Sequence, residues 1–443
     1  MKTPIADFVK AYVQSETARF HMPGHKGVSV LGCESLDITE ISGADVLYSA
    51  DGIINESENN ASLLFKSKHS FYSAEGSTLA IKAMLGLIKR RSKNERTTVL
   101  AARNVHKAFI YACALLDIDA EWIYPENFTH LCSCDITPSV LESAIKGASI
   151  KPDAVYITSP DYLGNIADIP TLAKICHSNG IPLVVDNAHG AYLAFTEPSL
   201  HPLALGADMC CDSAHKTLPV LTGGAYLHIS KNFDVEDCEV REAMSLFAST
   251  SPSYLILQSL DLCNKYLSDN YAQSLADCIR RVNKIKKALN ERGIITEQSE
   301  PLKLVLSRAV CGYSGDELAD LLRKNAIEPE FADKDTLVLM ATPSLSEKAF
   351  TKLEQTLATL EPKIPDLSTP PSVQIPVRAM SIRDAIFAKS ELVDVRNAEG
   401  KICATPIVSC PPAVPVVMSG EIIDKATVEL MSYYGTEKIS VIK

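Results

Sequence analysis

The stretch Asp212-Ser213-Ala214-His215-Lys216-Thr217 follows an apolar run at residues 207–211 that is typical of a strand. A second predicted strand, at residues 181–185, ends at Asp186. A lysine and an aspartate at the carboxyl ends of two buried strands match the needs of a pyridoxal phosphate (PLP) site. The lysine amine binds the cofactor aldehyde as a Schiff base, and the aspartate keeps the pyridine nitrogen protonated, so that the ring accepts electrons. Taken alone, Lys216 fits an ordinary surface lysine better than a cofactor-binding one, and its neighbours carry the argument.

A second polar cluster supports the same interpretation. Glu75-Gly76-Ser77-Thr78 precedes an apolar, helix-prone run at residues 79–84. A helix that opens on Gly-Ser-Thr offers backbone N–H groups, two hydroxyls and the positive end of the helix dipole to a phosphate. The alternative is an ordinary Ser/Thr cap of a helix. With Ser213 and His215 beside Lys216, the clusters supply partners for the aldehyde, ring nitrogen and phosphate of one cofactor.

The composition limits the class of protein. A chain of 443 residues is too long for one compact core and predicts two or three domains. Its formal net charge of -11 argues against nucleic acid and anionic membrane surfaces as partners. We find no signal peptide and no apolar run long enough to span a membrane. We therefore expect a cytoplasmic protein whose 13 cysteines are reduced thiols, and no residue spacing predicts a metal site.

The middle of the chain alternates apolar runs with helical patterns. This alternation predicts an α/β fold with a mostly parallel sheet that is covered on both faces and binds ligands at the carboxyl ends of its strands. Helices are predicted at residues 106–116 and 171–178, and strands at residues 98–102, 154–158, 181–185, 209–211 and 225–229.

The sequence divides into five segments. Residues 1–30 are predicted to form an N-terminal arm with a helix at residues 5–13, and residues 31–262 form the large domain. Residues 263–362 hold the end of a long linking helix, which spans residues 252–292, and a small α/β domain. Five prolines between residues 362 and 376 oppose both helix and central strand, so residues 363–376 are predicted to be a linker before a C-terminal module at residues 377–443. Within the small domain, strands are predicted at residues 302–306 and 336–340 and helices at residues 315–324 and 346–360.

Several motifs resemble one enzyme family. Ser213-Ala214-His215-Lys216-Thr217-Leu218-Pro219 and Ser249-Thr250-Ser251-Pro252-Ser253-Tyr254 are specific signals, whereas the isolated Gly-Ser-Thr is not. The chain resembles the Orn/Lys/Arg decarboxylases, which are enzymes of PLP fold type I, in the short form that lacks an amino-terminal wing domain. The resemblance covers nearly the whole chain. Its further motifs lie at residues 21–27, 37–40, 43–47, 72–78, 104–107, 186–190, 398–402, 411–415 and 420–421.

The resemblance implies a role for each matched residue. Lys216 holds PLP, Asp186 pairs with the pyridinium nitrogen and His189 lies near the reacting carbon, so these three are the expected catalytic residues. The expected cofactor-binding residues are Ser77, Thr78, His106, Asp186, Ala188, Ser213, His215, Lys216 and Thr250. His106 and Ala188 pack on the two ring faces, while Ser77, Thr78, Ser213 and His215 bind the phosphate. Two alternatives stay open: His106 as a solvated helix start and His189 as a core histidine.

The resemblance also implies an activity and an assembly. The expected reaction is PLP-dependent decarboxylation of lysine, arginine or ornithine to the matching amine, a polyamine precursor. The family's active site forms between two subunits, so we expect a homodimer in which Ser249 or Thr250 reaches the other subunit's phosphate. Candidates for binding the distal cation of the substrate are Glu421, Asp45 and Asp161.

Two alternatives to the decarboxylase interpretation remain. An aminotransferase or lyase of the same fold would grip the α-carboxylate with an arginine, for which Arg378, Arg383 and Arg396 are candidates. A non-catalytic regulatory paralogue is the other alternative, although such a protein has little reason to keep every cofactor contact.

Three motifs depart from the family pattern. Asn187 follows the cofactor aspartate where the family usually has glutamate, and Asp161 stands where a neutral residue is more common. Ala413 stands within Pro-Pro-Ala-Val-Pro, where Pro-Pro-Gly-Ile-Pro is more usual. None of these changes removes an expected cofactor contact, but they leave the substrate open and leave room for a divergent or weakly active paralogue.

Overall fold

Helices and strands alternate along the chain between residues 53 and 229, as the sequence pattern predicts. The computed structural model describes residues 1–127, 130–368, 370–371, 375–406 and 413–443. Parts of the predicted linker, and the first two prolines of the motif at residues 411–415, lie outside this part of the chain. The first of two units contains residues 1–93, 153–157 and 169–273, and the second contains residues 94–152, 158–168 and 274–443. The five-segment division of the chain stays a prediction.

The α-helices are α1 (Pro4–Gln14), α2 (Ile53–Phe65), α3 (Gly76–Arg91), α4 (Lys107–Leu116), α5 (Pro138–Gly147), α6 (Ile169–Ser178), α7 (Pro202–Leu205), α8 (Ala214–Thr217), α9 (Asp237–Ser245), α10 (Tyr254–Asp269), α11 (Tyr271–Glu291), α12 (Arg308–Cys311), α13 (Gly315–Lys324), α14 (Glu347–Leu357), α15 (Ile382–Phe387) and α16 (Lys425–Tyr433). The strands are β1 (His69–Ser73), β2 (Thr98–Ala102), β3 (Asp119–Ile123), β4 (Ala154–Thr158), β5 (Leu183–Asp186), β6 (Met209–Asp212), β7 (Ala225–Ile229), β8 (Lys303–Ser307), β9 (Phe331–Ala332), β10 (Thr336–Met340), β11 (Ser390–Asp394), β12 (Cys403–Thr405) and β13 (Lys438–Ile442).

The first unit is organised around neighbouring strands in the order β1-β7-β6-β5-β4. Strands β5 and β6 run parallel, with Asp186 opposite Cys211, whereas β7 pairs antiparallel with both β1 and β6. Every residue of β5, β6 and β7 is buried. Their sequences are therefore nearly continuous apolar runs, as expected for strands that are covered on both faces.

The second unit contains three sets of paired strands. Strands β2 and β3 run parallel, while β8, β10 and β9 form an antiparallel sheet. The C-terminal strands β11, β13 and β12 form another antiparallel sheet. This last sheet has its own apolar core, which includes Cys403, Val417, Ile423, Met431 and Val441.

Most predicted elements are present, with three corrections. Strand β5 begins at Leu183 because Pro182 has no N–H, although its carbonyl accepts the amide of Val155 at 3.0 Å. The long linking helical region predicted at residues 252–292 is helical, but it consists of two helices, α10 and α11, which meet at Asn270. Strands β1 and β3 were missed because both mix polar with apolar residues. Within the described part of the chain, no helix combines the length and apolarity needed to cross a membrane.

Candidate active site

The site predicted from the sequence lies at one edge of the first unit's sheet. Asp186 ends β5 and Asp212 ends β6, and because these strands are parallel, both end at the same edge. Ser213 follows β6 and precedes the short helix α8, which carries His215 and Lys216. The Nζ atom of Lys216 lies 2.9 Å from Nε2 of His189. The structure therefore brings two of the expected catalytic residues into hydrogen-bond contact.

Asp186 is held in place by neutral donors. Its side chain is buried, and Tyr156 Oη donates to Oδ2 at 3.2 Å. The backbone N–H of Ala188 donates to Oδ1 at 3.2 Å, and the Cys211 thiol donates to the same oxygen at 3.5 Å. Burial raises the pKa of Cys211 well above its ordinary value, so the sulfur keeps its proton and remains a donor. The sequence did not indicate Tyr156 or Cys211, because both lie inside uniformly buried strands.

The start of α3 is open enough for an anion. Gly76 has a φ of +69°. Among the described residues, apart from its chain neighbours and the backbone of its own helix, no heavy atom lies within 4 Å of the position that a Cβ would occupy. The side chain of the N-cap residue Glu75 makes no capping hydrogen bond. The Ser213 hydroxyl donates to Ser77 Oγ at 2.8 Å, so two of the predicted phosphate ligands are in contact, while Thr78 is exposed. Ser77 and Thr78 lie inside α3 and not at its N-cap, so the ordinary Ser/Thr cap does not describe them, and their binding of phosphate stays a prediction.

His215 and the loop at residues 249–251 are two further parts of the predicted phosphate site, and they make different contacts. His215 Nδ1–H donates to the carbonyl of Gly224 at 3.0 Å. Burial lowers the pKa of His215, and the nearby charge of Lys216 lowers it further. The amide of Ser249 donates to the carboxylate of Glu75 at 2.6 Å, which ties the loop to the start of α3 in its own chain. Thr250 is exposed, and its contact with another subunit stays a prediction.

A buried polar network lies at the same strand ends. Asp212 Oδ1 accepts a hydrogen bond from Asn187 Nδ2 at 2.6 Å. Its Oδ2 accepts from Nε2 of His201 at 3.0 Å and from Nε2 of His228 at 3.2 Å. Burial alone would raise the pKa of Asp212, but the two imidazoles outweigh burial and hold this pKa well below its usual range. The network joins the residue after Asp186 to the residue before Ser213.

His106 belongs to the second unit. It is the N-cap of α4, and its Nδ1 accepts the backbone N–H of Ala108 at 3.1 Å. The helix-start alternative therefore describes its local position correctly, although the ring is half-buried. Its predicted stacking on the cofactor stays a prediction.

The three carboxylates considered for substrate binding each have partners in their own unit. Asp45, in the first unit, accepts the amides of Gly52 and Ile54, both at 2.9 Å. In the second unit, Asp161 accepts from the amide and the side chain of Asn165, at 2.9 and 2.7 Å. Glu421 pairs with Arg103 at 2.8 Å. The structure thus gives each of these acids a local structural contact, and a role toward substrate stays a prediction.

The arginines considered for an aminotransferase site are likewise engaged within the second unit. Arg378 pairs with Asp119, and Arg383 Nη1 donates to the carbonyl of Ala114 at 2.8 Å. Arg396 Nε lies 3.2 Å from a carboxylate oxygen of Asp394.

Solved structures define the class of fold. The E. coli constitutive lysine decarboxylase has a TM-score of 0.80 at 17% identity, with 100% of this chain and 82% of that chain covered. The lysine decarboxylase LdcF of Francisella novicida has a TM-score of 0.82 at 17% identity, with 100% and 81% covered. Further neighbours include a NifS-like protein with a TM-score of 0.55. The chain is therefore an α/β protein of PLP fold type I with a mostly parallel sheet, as predicted.

Sequence comparisons identify the family. Residues 3–310 match the major domain of the Orn/Lys/Arg decarboxylases, and residues 369–438 match their C-terminal domain. The uncharacterized protein YaaO of Bacillus subtilis is 30% identical, with 98% of this chain and 94% of that protein covered. The arginine decarboxylase of Halalkalibacterium halodurans is 31% identical, with 96% and 92% covered. This chain belongs to the Orn/Lys/Arg decarboxylase family, which confirms the predicted resemblance and the decarboxylase class of enzyme.

Proposed function

We propose that this chain catalyses the PLP-dependent decarboxylation of a basic amino acid and releases CO2 and the matching amine. The observation that carries the proposal is the contact between Lys216 Nζ and His189 Nε2, at 2.9 Å, in the unit where Asp186 is buried among hydrogen-bond donors. Membership of the decarboxylase family supports the reaction class. The roles of individual residues and the substrate are proposals.

The described residues fit the cofactor. When bound, PLP supplies an electron sink for the charge that develops at the α-carbon as CO2 leaves. Asp186 would hold a proton at the pyridine nitrogen, because a buried carboxylate favours a cationic partner. Tyr156 and Ala188 direct its two oxygens, at 3.2 Å each. The open helix start at Gly76 and the paired hydroxyls of Ser77 and Ser213 suit the phosphate.

Lys216 would serve both as the covalent anchor and as a proton carrier. Its amine would hold the cofactor through the cofactor's aldehyde. When not holding it, the same amine would carry a proton that it could donate to the substrate's α-carbon. His189 can exchange that proton, since Nε2 already lies within hydrogen-bond distance of Nζ.

The remaining roles follow from the resemblance. We propose that Thr78 and His215 contribute to the phosphate site and that Ala188 and His106 cover the two ring faces. We also propose a homodimer in which Thr250 contacts the phosphate of the other subunit. These roles await direct tests.

Arginine is the first substrate to test. Relatives named arginine decarboxylase in Bacillus subtilis and Halalkalibacterium halodurans match nearly the full chain at 29% and 31% identity. Relatives named lysine decarboxylase match at 21% and 22% over 61% and 51% of this chain. Lysine and ornithine remain the other two candidates, with agmatine, cadaverine and putrescine as the respective products of arginine, lysine and ornithine.

The test supplies arginine, lysine and ornithine separately to PLP-loaded protein and measures CO2 and amine. Lys216→Ala should abolish both products, while Lys284→Ala, which removes an exposed lysine, should leave them unchanged. One substrate that yields CO2 and its matching amine only when Lys216 is present would support the proposal. Cofactor-loaded protein that releases no CO2 from any of the three would overturn it, and assays for amino-group transfer to a keto acid would then test the aminotransferase alternative.

A further inference from the structure

We infer that the C-terminal module positions His106 through a clamp formed by Ala413 and Glu421 on one side and by Lys107 and Arg103 on the other. This inference rests on the proposed function, because it takes the role of His106 at the cofactor from there. The inference gives the C-terminal module an indirect role: it holds His106 in place and does not itself contact the cofactor.

The first clamp contact lies at the start of α4. The first amides of a helix have no partner within the helix and need acceptors from elsewhere. The amide of Lys107 donates to the carbonyl of Ala413 at 3.0 Å, and the amide of Ala108 donates to His106 Nδ1 at 3.1 Å. Because Nδ1 accepts, the proton of a neutral His106 ring is at Nε2. The ring and the helix start are therefore fixed together, and Ala413 supplies one of the two acceptors.

The backbone of Ala413 is held in a conformation that alanine rarely adopts. Its φ is +57°, in the left-handed region that favours glycine. The side chain is buried at 1% exposure, so the surrounding residues fix both the backbone and the direction of the carbonyl. Such a conformation persists only where the surrounding structure holds it, and it is commonest at functional positions.

The second clamp contact lies on the other side of His106 in the chain. Arg103 Nη2 pairs with Glu421 Oε2 at 2.8 Å, and the two side chains are only 10% and 3% exposed. Arg103 Nη2 also donates to the carbonyl of Val416 at 3.3 Å, and the amide of Met418 donates to Glu421 Oε2 at 2.7 Å. A buried ion pair with these additional bonds has a defined geometry.

The clamp connects the segment around His106 to the apolar core of the C-terminal module. Val417, between the contacts at Ala413 and Glu421, belongs to the apolar core of the C-terminal sheet. The segment at residues 103–107 is thus anchored on both sides of His106 to one packed module. A ring held in this way loses little conformational freedom when it packs against a ligand, which favours binding.

The first test compares two substitutions at Lys107. Lys107→Pro removes the amide that Ala413 accepts, yet proline is tolerated at the first position of a helix, and His106 already has the extended backbone that precedes proline. Lys107→Ala removes the same side chain and keeps the amide. We expect Lys107→Pro to raise the dissociation constant of PLP about tenfold relative to Lys107→Ala, with a lower kcat and a nearly unchanged KM. PLP affinity is measured by titration of the apoprotein, with far-UV circular dichroism as the check on folding.

A double-mutant cycle with His106→Ala separates positioning from a general loss of stability. If the clamp acts through the His106 ring, adding Lys107→Pro to the His106→Ala variant should change the dissociation constant of PLP by less than about twofold. The inference would be overturned if the two Lys107 variants bind PLP equally well. It would also be overturned if Lys107→Pro weakens PLP binding by the same factor with and without the His106 ring. If His106→Ala itself leaves PLP affinity unchanged, the proposed role of His106 is wrong, and this inference fails with it.

Glu421→Gln gives a second test if Lys107→Pro does not fold. It weakens the buried ion pair, and its control is Glu391→Gln, which removes one partner of an exposed ion pair with Lys401 in the same module. Glu421→Gln should weaken PLP binding severalfold in the wild-type protein. In the His106→Ala variant, the same substitution should leave PLP binding unchanged. The same weakening by Glu391→Gln would contradict the clamp.

Discussion

The clearest pH-dependent prediction concerns His69 in β1. Its Nδ1 lies 2.8 Å from a carboxylate oxygen of Asp237, its Nε2 lies 3.4 Å from Glu58, and its ring stacks on Phe71 with centroids 4.0 Å apart. Burial alone would lower the pKa of His69, but hydrogen bonds and charges from the two carboxylates raise it from 6.5 to about 9. One pKa unit corresponds to about 1.4 kcal/mol, so protonated His69 stabilises the folded state by about 3 kcal/mol.

The sign of the pH dependence follows from the raised pKa. The contribution is fully present below the unfolded pKa of about 6.5 and is lost as pH rises through about 9. His69→Gln should therefore lower the free energy of unfolding by about 3 kcal/mol at about pH 6, and this difference from the wild-type protein should shrink to a small packing term by about pH 10. Urea denaturation followed by far-UV circular dichroism across this pH range measures the difference.

The matched control for this experiment is His177→Gln. His177 makes an imidazole–carboxylate contact of the same length, 2.8 Å to Asp208, but its side chain is 44% exposed. An exposed pair is screened by water, so the control should change the free energy of unfolding by less than about 1 kcal/mol at each pH. A His69→Gln difference that is constant with pH, or that grows as pH rises, would refute the assignment of a protonated, stabilising His69.

Three further predictions follow from buried contacts. Tyr156→Phe removes a hydrogen bond to Asp186, the proposed partner of the cofactor's pyridine nitrogen, and should weaken PLP binding about tenfold in apoprotein titrations. Unchanged affinity would contradict this role for Tyr156. Asn187→Asp places a second carboxylate beside Asp212, and because two adjacent buried carboxylates cannot both ionise, the pKa of the new group rises. As pH rises from about 5 to about 8, the free energy of unfolding of the variant in urea denaturation should fall relative to that of the wild-type protein. A difference between the two proteins that does not change with pH would contradict this. Lys303→Ala removes a fully buried ammonium that lies 3.1 Å from the carboxylate of Glu300. The loss should lower the free energy of unfolding by about 3–5 kcal/mol, because it leaves a buried carboxylate without its cation. A decrease below about 1 kcal/mol would contradict a strong buried pair.

Local sequence patterns were sufficient for much of the fold and for the outline of the site. Strands β2, β4 and β7 coincide with the predicted ranges, because each is a short apolar run between polar turns. The positions of Asp186, Ser213 and Lys216 at or after strand ends were predictable from the apolar runs that precede them, and parallel strands commonly bind ligands at this edge. The Lys216–His189 contact agrees with this rule, since both residues follow such strand ends.

Hydrogen bonds between strands that are far apart along the chain could not be predicted from the sequence. Tyr156 and Asp186 are 30 residues apart, and the hydrogen bond between them exists only because β4 and β5 are neighbours. His228 reaches Asp212 only because β6 and β7 pair. The break at Asn270 was not predicted either, because the apolar pattern of α10 resumes in α11 directly after one residue.

Asn187 shows how such contacts change the meaning of a departure from the family pattern. From the sequence, an asparagine in place of the usual glutamate left room for a divergent or weakly active relative. In the structure, its amide nitrogen donates to Asp212, a carboxylate that also accepts from two imidazoles. A glutamate could donate to Asp212 only by taking up a proton, whereas the amide donates at any pH and leaves Asp212 ionised. Asn187 therefore supplies a hydrogen bond between the two strand ends that a glutamate could make only when protonated, and the departure is no argument against catalysis.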